Sequence, residues 1–198
     1  LIKKNEKENI SKIHIFLYEK ESVEHRLGYF DSVGLFKDMV QCHVMTILFY
    51  CFPNLFNYKK NLSNFPKFPK FPNFSNIKVK KYLRGQYNGY NGNKNTDTYI
   101  KLNIKWNNVD VMIEAGKCMS CNKKEIHYYS SNNERDTIVP IRSEYSEYKS
   151  LFQDALNEDK SKYLNFDDIR YFWKLSEHIL SSIDCNKIFY YDAMMMFP

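Results

Sequence analysis

The chain has 198 residues, of which 43% are hydrophobic and 17% aromatic, so it can bury a core, and disorder throughout is excluded. One domain, or one domain with an unstructured insert, is expected. The net charge of +6 is spread along the sequence without a nucleic-acid-reading motif, which disfavours a nucleic-acid-binding protein. Because the longest apolar run, Val44 to Phe52, is too short to span a bilayer, a soluble, cytoplasmic protein is expected.

The five cysteines are an odd number and lack the framework of a small secreted protein, so reduced thiols are expected. Cys118 and Cys121 have the CxxC spacing that also serves zinc and redox sites. No second pair and no strand–helix redox signature accompany them. The sequence therefore favours neither a metal site nor a redox site.

The first predicted elements are a charged, frayed segment from Leu1 to Asn9 and a strand from Ile10 to Tyr18. Apolar residues alternate along the strand, as on a half-buried surface. Glu19 directly follows the last residue of this predicted strand. A carboxylate at this place is either a functional group or a solvated side chain.

A helix is predicted from Leu35 to Phe52, because apolar residues recur there at a period near 3.6 until Pro53. The preceding segment, Gly28 to Gly34, predicts a turn. Asp38 and His43 stand among apolar neighbours, where an ionisable group is costly unless it is paired or used. On an ideal α-helix these two residues point about 140° from each other.

The segment from Asn54 to Asn76 has low complexity and repeats a Phe-Pro-Lys/Asn unit. Prolines every third residue exclude a helix or a central strand, so an extended, disordered insert is predicted. Basic residues interleaved with aromatic ones can also stack on single-stranded nucleic acid. We therefore keep salt-dependent single-strand binding as an alternative to a plain solvent loop.

A β-hairpin is predicted from Thr98 to Ala115, because apolar and polar residues alternate from Thr98 to Trp106, Asn107 and Asn108 make the turn, and Val109 to Ala115 returns as a second strand. The hairpin ends in Gly116 and Lys117. Here an accessible backbone stands beside an ammonium group, an arrangement that suits an anionic or polyhydroxylated ligand.

A last helix is predicted from Asp167 to Ser182, with Asn165 as its N-cap and acidic residues in its first turn. The predicted core face of this helix consists of Ile169, Phe172, Trp173, Leu180 and Ile183.

Several of these segments resemble the glucose-6-phosphate dehydrogenase family. The family pattern GYFD-x-x-G-x-x-R-D-V-M-Q-N-H is matched at Gly28, Tyr29, Phe30, Asp31, Gly34, Asp38, Gln41 and His43. The segment from Tyr82 to Tyr87 resembles its RGQY signature, and its hairpin pattern is matched at Trp106, Val109, Ile113, Gly116 and Lys117. The segment from Glu147 to Leu175 aligns without a gap to the C-terminal helices of the family.

The resemblance implies a role for four of these residues. His43 is the general base that removes the proton from the sugar O1 while hydride leaves C1 for NADP. Glu19, Asp38 and Lys117 bind the substrate. The resemblance also implies partners, namely glucose 6-phosphate and a second copy of the chain in a homo-oligomer.

Three positions concern further ligands of the family. Lys123 keeps the charge that some members use to hold a second, structural NADP. Glu114 stands where the family has an arginine, a charge reversal that weighs against this second cofactor site. Asn122 replaces a second base on the substrate side.

The sequence contains neither a G-x-G-x-x-G turn nor the GxxGDLA and RIDHYLGKE segments of the family. The chain is therefore expected to be the substrate-side portion of the enzyme, a fragment or an incomplete gene product that needs an N-terminal NADP-binding domain for turnover. A non-catalytic relic or a dimerisation and binding module is the alternative.

The expected fold is α+β: a largely antiparallel sheet with helices on one face and with fewer strands than in the family. Residues 10–198 are expected to form one domain, interrupted at 54–76.

Overall fold

The computed structural model describes residues 10–56, 74–130, 136–141, 147–158, 163–183 and 187–194. The frayed segment at residues 1–9 and the whole Phe-Pro repeat lie outside these ranges. The division into a frayed start and one interrupted domain stays a prediction.

Within the described ranges, seven strands form one mixed sheet in the order β6-β5-β1-β4-β3-β2-β7. The strands are β1 (Ile10–Tyr18), β2 (Ile77–Tyr87), β3 (Tyr99–Trp106), β4 (Val109–Gly116), β5 (Lys123–Ser130), β6 (Asp136–Pro140) and β7 (Ile188–Tyr191). Neighbours are antiparallel except in two parallel pairs, β1 with β4 and β2 with β7. The predicted α+β fold with a largely antiparallel sheet is confirmed.

The predicted hairpin is also confirmed, because β3 and β4 pair antiparallel with Tyr99 opposite Gly116. The first strand inserts between two strands that lie much later in the chain: Tyr18 is opposite both Gly116 and Lys123. The sequence did not predict β5, nor β6 and β7, which form the two edges.

The helix predicted from Leu35 to Phe52 begins earlier and is less regular than expected. It consists of α1 (Leu27–Leu35), a π-helix (Phe36–Val44) and α2 (Met45–Cys51), and it is flanked by short 3-10 helices at Glu24–Arg26 and Pro53–Leu55. The predicted turn from Gly28 to Gly34 was therefore wrong for most of its length.

A kink at Gly34 separates α1 from the π-helix. Gly34 has φ 69° and ψ 171°, a region that essentially only glycine adopts, and a Cβ there would lie 3.3 Å from Asp97 Oδ1. Next to the kink, Asp31 accepts hydrogen bonds from the Tyr90 hydroxyl and the Asn93 N–H. These contacts join α1 to the loop between β2 and β3.

Both α2 and the last helix pack towards one face of the sheet. Ile13, Ile15 and Leu17 are buried on this face, and Tyr128, opposite Ile13, has its ring centroid 5.9 Å from that of Phe52. The alternate residues of the strands lie on the other side, which we call the open face. The open face includes His14, Phe16, Tyr18, Tyr99, Lys101, Glu114, Lys123, Glu125 and His127.

The C-terminal helices are α3 (Glu147–Leu156) and α4 (Phe166–Ser181). Asn165 caps α4 as predicted, because its Oδ1 accepts the Asp168 N–H and the Asp168 carboxylate accepts the Asn165 N–H. The predicted core face was partly wrong. Phe172 is buried, but Ile169 and Trp173 are 38% and 53% exposed. The helix instead buries Tyr171, Leu175, Ser176 and Ile179.

Candidate functional site

Two strand ends meet at the candidate site because β1 and β4 are parallel neighbours. Tyr18 is the register partner of Gly116, so Glu19 and Lys117 leave the sheet side by side. The Glu19 N–H donates to the Gly116 carbonyl, and Lys117 Nζ lies 2.5 Å from Glu19 Oε2. Sheet register thus places two residues that are 98 positions apart in one ion pair.

Asp38 reaches the same ammonium group from the π-helix. Its Oδ2 lies 3.3 Å from Lys117 Nζ, and both side chains are largely buried. Arg26 adds a second cation, with Nη1 3.8 Å from Asp38 Oδ1. The structure therefore brings together the three predicted substrate ligands, Glu19, Asp38 and Lys117. We call these three and Arg26 the charged cluster.

Arg26 was not predicted from the sequence. It is the last residue of the 3-10 helix before α1, and its guanidinium lies near Asp38 of the π-helix. Arg26 lies two residues before the GYFD segment, and in the sequence it resembles any other surface cation. The kink at Gly34 lies between Arg26 and Asp38 in the chain, and a periodic pattern does not show such a kink.

The charges in the cluster balance one another. Burial raises the pKa of Glu19, but the hydrogen bond and charge of Lys117, with smaller effects of Lys124 and Arg26, outweigh it and hold the pKa below its usual value. An ammonium group has three N–H donors, and two of those of Lys117 face carboxylates, which leaves one for a ligand. Carboxylates accept from hydroxyl groups, so the cluster suits a polyhydroxylated ligand.

His43 lies on the π-helix, five residues after Asp38. A π-helix bonds residue i to residue i+5, so these two residues lie about one turn apart and share a side of the helix. Over five residues, a π-helix turns two side chains less far apart than an ideal α-helix does. His43 is exposed, and none of the residues that the structure describes forms a hydrogen bond or ion pair with its imidazole.

The backbone at Lys117 is held by the C-terminal strand. Tyr191 of β7 donates its hydroxyl hydrogen to the Lys117 carbonyl at 2.8 Å, and the Met194 N–H donates to the Cys118 carbonyl. The Lys117 N–H donates in turn to the Thr98 carbonyl. Tyr191 is thus a positioning residue of the cluster. Tyr191 was not predicted from the sequence, because the end of the chain carries only a faint pattern.

The other predicted ligand positions make different contacts. Asn122 accepts a hydrogen bond from the Lys20 N–H through Oδ1. Lys123 begins β5 on the open face, with Nζ 3.5 Å from the ring centroid of Phe16 and 3.8 Å from Glu125 Oε2. Its contact with a second NADP stays a prediction.

Neither Cys118 nor Cys121 forms a disulfide among the described residues. Within the described ranges, no group of three or more His, Cys, Asp or Glu side chains is arranged to hold a metal ion. Over the same residues, no helix combines the length and the apolar character needed to cross a membrane.

The fold is shared with dehydrogenases of known structure. A glucose-6-phosphate 1-dehydrogenase from Mycobacterium avium matches with a TM-score of 0.66 at 20% identity, over 93% of this chain and 52% of that one. A glucose-6-phosphate dehydrogenase in complex with its substrate glucose-6-phosphate matches with a TM-score of 0.64 at 20% identity, over 96% and 54%. The protein therefore has the α+β sheet fold found in these dehydrogenases.

Sequence comparison identifies the family. The model for the glucose-6-phosphate dehydrogenase C-terminal domain matches residues 3–138, well over half of the chain. The chain belongs to this family. The cytoplasmic isoform of glucose-6-phosphate 1-dehydrogenase from Solanum tuberosum is 30% identical over 137 residues, which are 61% of this chain and 26% of that protein.

Glucose-6-phosphate 1-dehydrogenase 1 from Mycobacterium tuberculosis (strain H37Rv) is 28% identical over 137 residues, which are 63% of this chain and 29% of that protein. The chain spans between a quarter and a third of the length of these curated relatives. It spans about half of the solved chains.

Proposed function

We propose that this chain is the substrate-side portion of an NADP-dependent glucose-6-phosphate dehydrogenase. The reaction oxidises glucose 6-phosphate to 6-phosphogluconolactone, the first step of the pentose phosphate pathway. The convergence of Glu19, Asp38 and Lys117 from three separate segments carries the proposal. Family membership supports it, and a solved relative of the same fold is described as a complex with glucose-6-phosphate.

The charged cluster binds the sugar. Glu19 and Asp38 accept hydrogen bonds from its hydroxyl groups, and the remaining N–H of Lys117 donates to a sugar oxygen. Because Lys117 is buried between the two carboxylates, its position is fixed before the ligand arrives. A pre-ordered set of donors and acceptors loses less conformational entropy on binding.

His43 acts as the general base at the sugar C1. The O1 proton passes to an imidazole nitrogen, the C1–H bond breaks with its electron pair leaving as hydride, and the C1–O1 double bond forms. Acceptance of this hydride is the chemistry that NADP supplies when it is bound. The exposed imidazole and its place on the Asp38 side of the π-helix support this role.

Turnover by this chain alone is not expected. Its sequence has no glycine-rich turn between a strand and a helix that could cradle the pyrophosphate of a dinucleotide. It also lacks the segment that supplies the aspartate that orients the histidine in the family. We propose that an N-terminal NADP-binding domain completes the site.

Substrate binding tests the first part of the proposal. Glucose 6-phosphate is titrated calorimetrically into the 198-residue chain, with Asp38→Asn as the site variant and Asp110→Asn, a surface carboxylate paired with Lys80, as the matched control. We expect saturable binding that Asp38→Asn weakens at least about tenfold, as expected when a charge-assisted hydrogen bond is lost. The absence of binding to the folded wild-type chain contradicts the proposal.

Complementation tests the second part. The chain is mixed with a separately produced NADP-binding domain from a relative, and the absorbance of the reduced nicotinamide is followed. Activity should require both components and should fall about 10²-fold or more with His43→Ala, but not with His178→Ala on α4. Activity that His43→Ala leaves unchanged contradicts the assignment of the base.

A non-catalytic binding module is the second candidate, favoured by the missing pyrophosphate turn and by Asn122 at the position of a family base. It predicts the same sugar binding but no activity after complementation. The family also supports a homo-oligomer as a proposal, and the cytoplasmic relative from Solanum tuberosum supports a cytoplasmic location.

A further inference from the structure

On the open face of the sheet, a buried carboxylate of β4 contacts four side chains from the neighbouring strands β1 and β3. Glu114 Oε2 accepts hydrogen bonds from the hydroxyls of Tyr18 at 2.6 Å and Tyr99 at 3.0 Å. Its Oε1 lies 2.9 Å from both Lys101 Nζ and His14 Nε2. We call these five residues the Glu114 cluster. It lies across the sheet from the charged cluster and shares no side chain with it.

The carboxylate of the Glu114 cluster is a fixed negative charge. Glu114 is 2% exposed. Burial raises its pKa, but the interactions with His14, Tyr18 and Lys101 together lower it to about 2. Lys101 supplies the matching positive charge and is itself largely covered. The cluster is thus an ionised, hydrogen-bonded group whose partners all come from the chain itself.

The neighbouring cation, Lys123, is also occupied. Its ammonium lies over the ring of Phe16 and near the Glu125 carboxylate, which in turn lies 2.8 Å from His127 Nε2. Phe16 stands between the two groups, with its ring centroid 3.7 Å from that of His14. Each cation at this end of the open face therefore has a carboxylate or an aromatic ring as its partner.

A dinucleotide phosphate needs cationic or N–H donors that are free to reach it. On the open face, a phosphate beside Lys123 would lie near the Glu125 carboxylate, and Glu114 is the register partner of Phe16, whose ring lies under Lys123. Like charges in a partly buried setting repel strongly. The donors that could compensate, Lys101 and the two tyrosines, already bind Glu114. The residues present do not fit a second, structural dinucleotide.

We infer that the Glu114 cluster takes the place of the second, structural NADP on this face of the sheet and stabilises it without any bound nucleotide. Side chains of the chain itself join β1, β3 and β4 on this face. The inference depends on the open face alone. It holds whether or not the charged cluster binds glucose 6-phosphate.

The first test is nucleotide binding to the intact chain, measured as the change in Tm on addition of NADP. A structural site with ligand at about a hundred times its Kd would raise Tm by roughly 5–10 °C. We expect no rise for the wild-type chain. A saturable rise that Lys123→Met abolishes overturns the inference. A rise that Lys123→Met leaves unchanged places the nucleotide elsewhere and supports it.

The second test is the stabilising role of the cluster. Glu114→Gln keeps the shape of the side chain but removes the charge that Lys101 requires, so Tm should fall by about 5 °C without nucleotide. Glu177→Gln is the matched control, because Glu177 pairs with Lys174 on the exposed surface of α4, and it should leave Tm unchanged. Equal Tm values for Glu114→Gln and the wild type overturn the inference.

Discussion

Lys117 is the residue on which the charged cluster depends, because its buried ammonium lies between two carboxylates. Lys117→Met leaves Glu19 and Asp38 beside each other without this cation. We expect the free energy of unfolding to fall by about 1–3 kcal/mol, the cost of leaving partly buried polar groups without a partner. Urea denaturation followed by circular dichroism measures it.

The control for this variant is Lys94→Met, an exposed lysine in the loop between β2 and β3. Its effect should stay within about 0.5 kcal/mol. Equal losses in the two variants would show that the cluster contributes nothing beyond ordinary surface charge.

Glu114 makes the stability of the molecule sensitive to acid. Its pKa of about 2 in the folded chain lies below the ordinary value of 4.5, so its contribution is complete above pH 4.5 and is lost as the pH falls towards 2. The unfolded chain takes up the proton first. Across this range the wild type should lose about 3 kcal/mol more than Glu114→Gln.

Denaturation curves at successive pH values check this prediction. Subtracting the free energy of unfolding of Glu114→Gln from that of the wild type at each pH cancels the titration of the other carboxylates. Parallel pH profiles would contradict the prediction. Measurements from pH 5 to pH 7 serve as the reference, because the Glu114 carboxylate stays ionised in the folded wild type across that range.

The kink at Gly34 is the element-scale feature that sets the direction of the π-helix. Its backbone lies where a side chain is strained, and a Cβ would approach Asp97. Gly34→Ala should lower the free energy of unfolding by about 1–3 kcal/mol. Gly28, near the start of α1, has open space around it, so Gly28→Ala should leave stability unchanged or raise it by up to about 1 kcal/mol.

Thermal and urea unfolding of these two glycine variants give the comparison. A loss for Gly28→Ala as large as that for Gly34→Ala would mean that the backbone conformation at the kink is not the cause.

The secondary-structure elements that were predicted correctly are those whose sequence pattern is local. The hairpin over Thr98 to Ala115 was found because alternation and turn residues stand next to each other in the sequence. The helical turn over Leu27 to Val33 was missed because Asp31 and its glycine neighbours are typical of turns. In the structure, Asp31 binds a loop about sixty residues away instead.

On α4 the predicted face was shifted for a related reason. Trp173 is apolar enough to suggest a core position, yet it is exposed, whereas Ser176 and Tyr171 are buried. Residue type indicates that the helix has an apolar side, but the exact boundary of that side depends on which neighbours the helix meets. Phe56 and Phe74 pack on Tyr171, and the sequence gives no sign of either contact.

At the scale of the whole molecule, β7 supports the charged cluster, whose residues lie far from β7 in the sequence. Tyr191 donates to the Lys117 carbonyl and contacts Thr98 Oγ1 at 2.9 Å. Tyr191→Phe removes both contacts from buried groups and should lower the free energy of unfolding by about 1–2 kcal/mol.

Tyr190 is the matched control for that substitution, because it is the adjacent residue in β7 and is 58% exposed. Tyr190→Phe should leave the unfolding curve unchanged. If both substitutions have the same small effect, β7 does not anchor Lys117 through its hydroxyl.

The candidate site could be predicted only through the family resemblance. Glu19 and Lys117 meet through the register of β1 against β4, and Asp38 reaches Lys117 from the π-helix. No local pattern specifies either arrangement. The resemblance supplied these residues together. It gave no sign of Arg26 or Tyr191, because neither stands in a motif that the resemblance covers.

The position of β1 also has a consequence for synthesis on the ribosome. Its two neighbours, β4 and β5, begin at Val109 and Lys123, about a hundred residues later. At roughly 5–20 residues per second, the nascent strand waits for about 5–20 s with both edges unpaired. During translation, Ile13, Ile15 and Leu17 are therefore a natural binding segment for a chaperone, although they are among the most deeply buried residues once folding is complete.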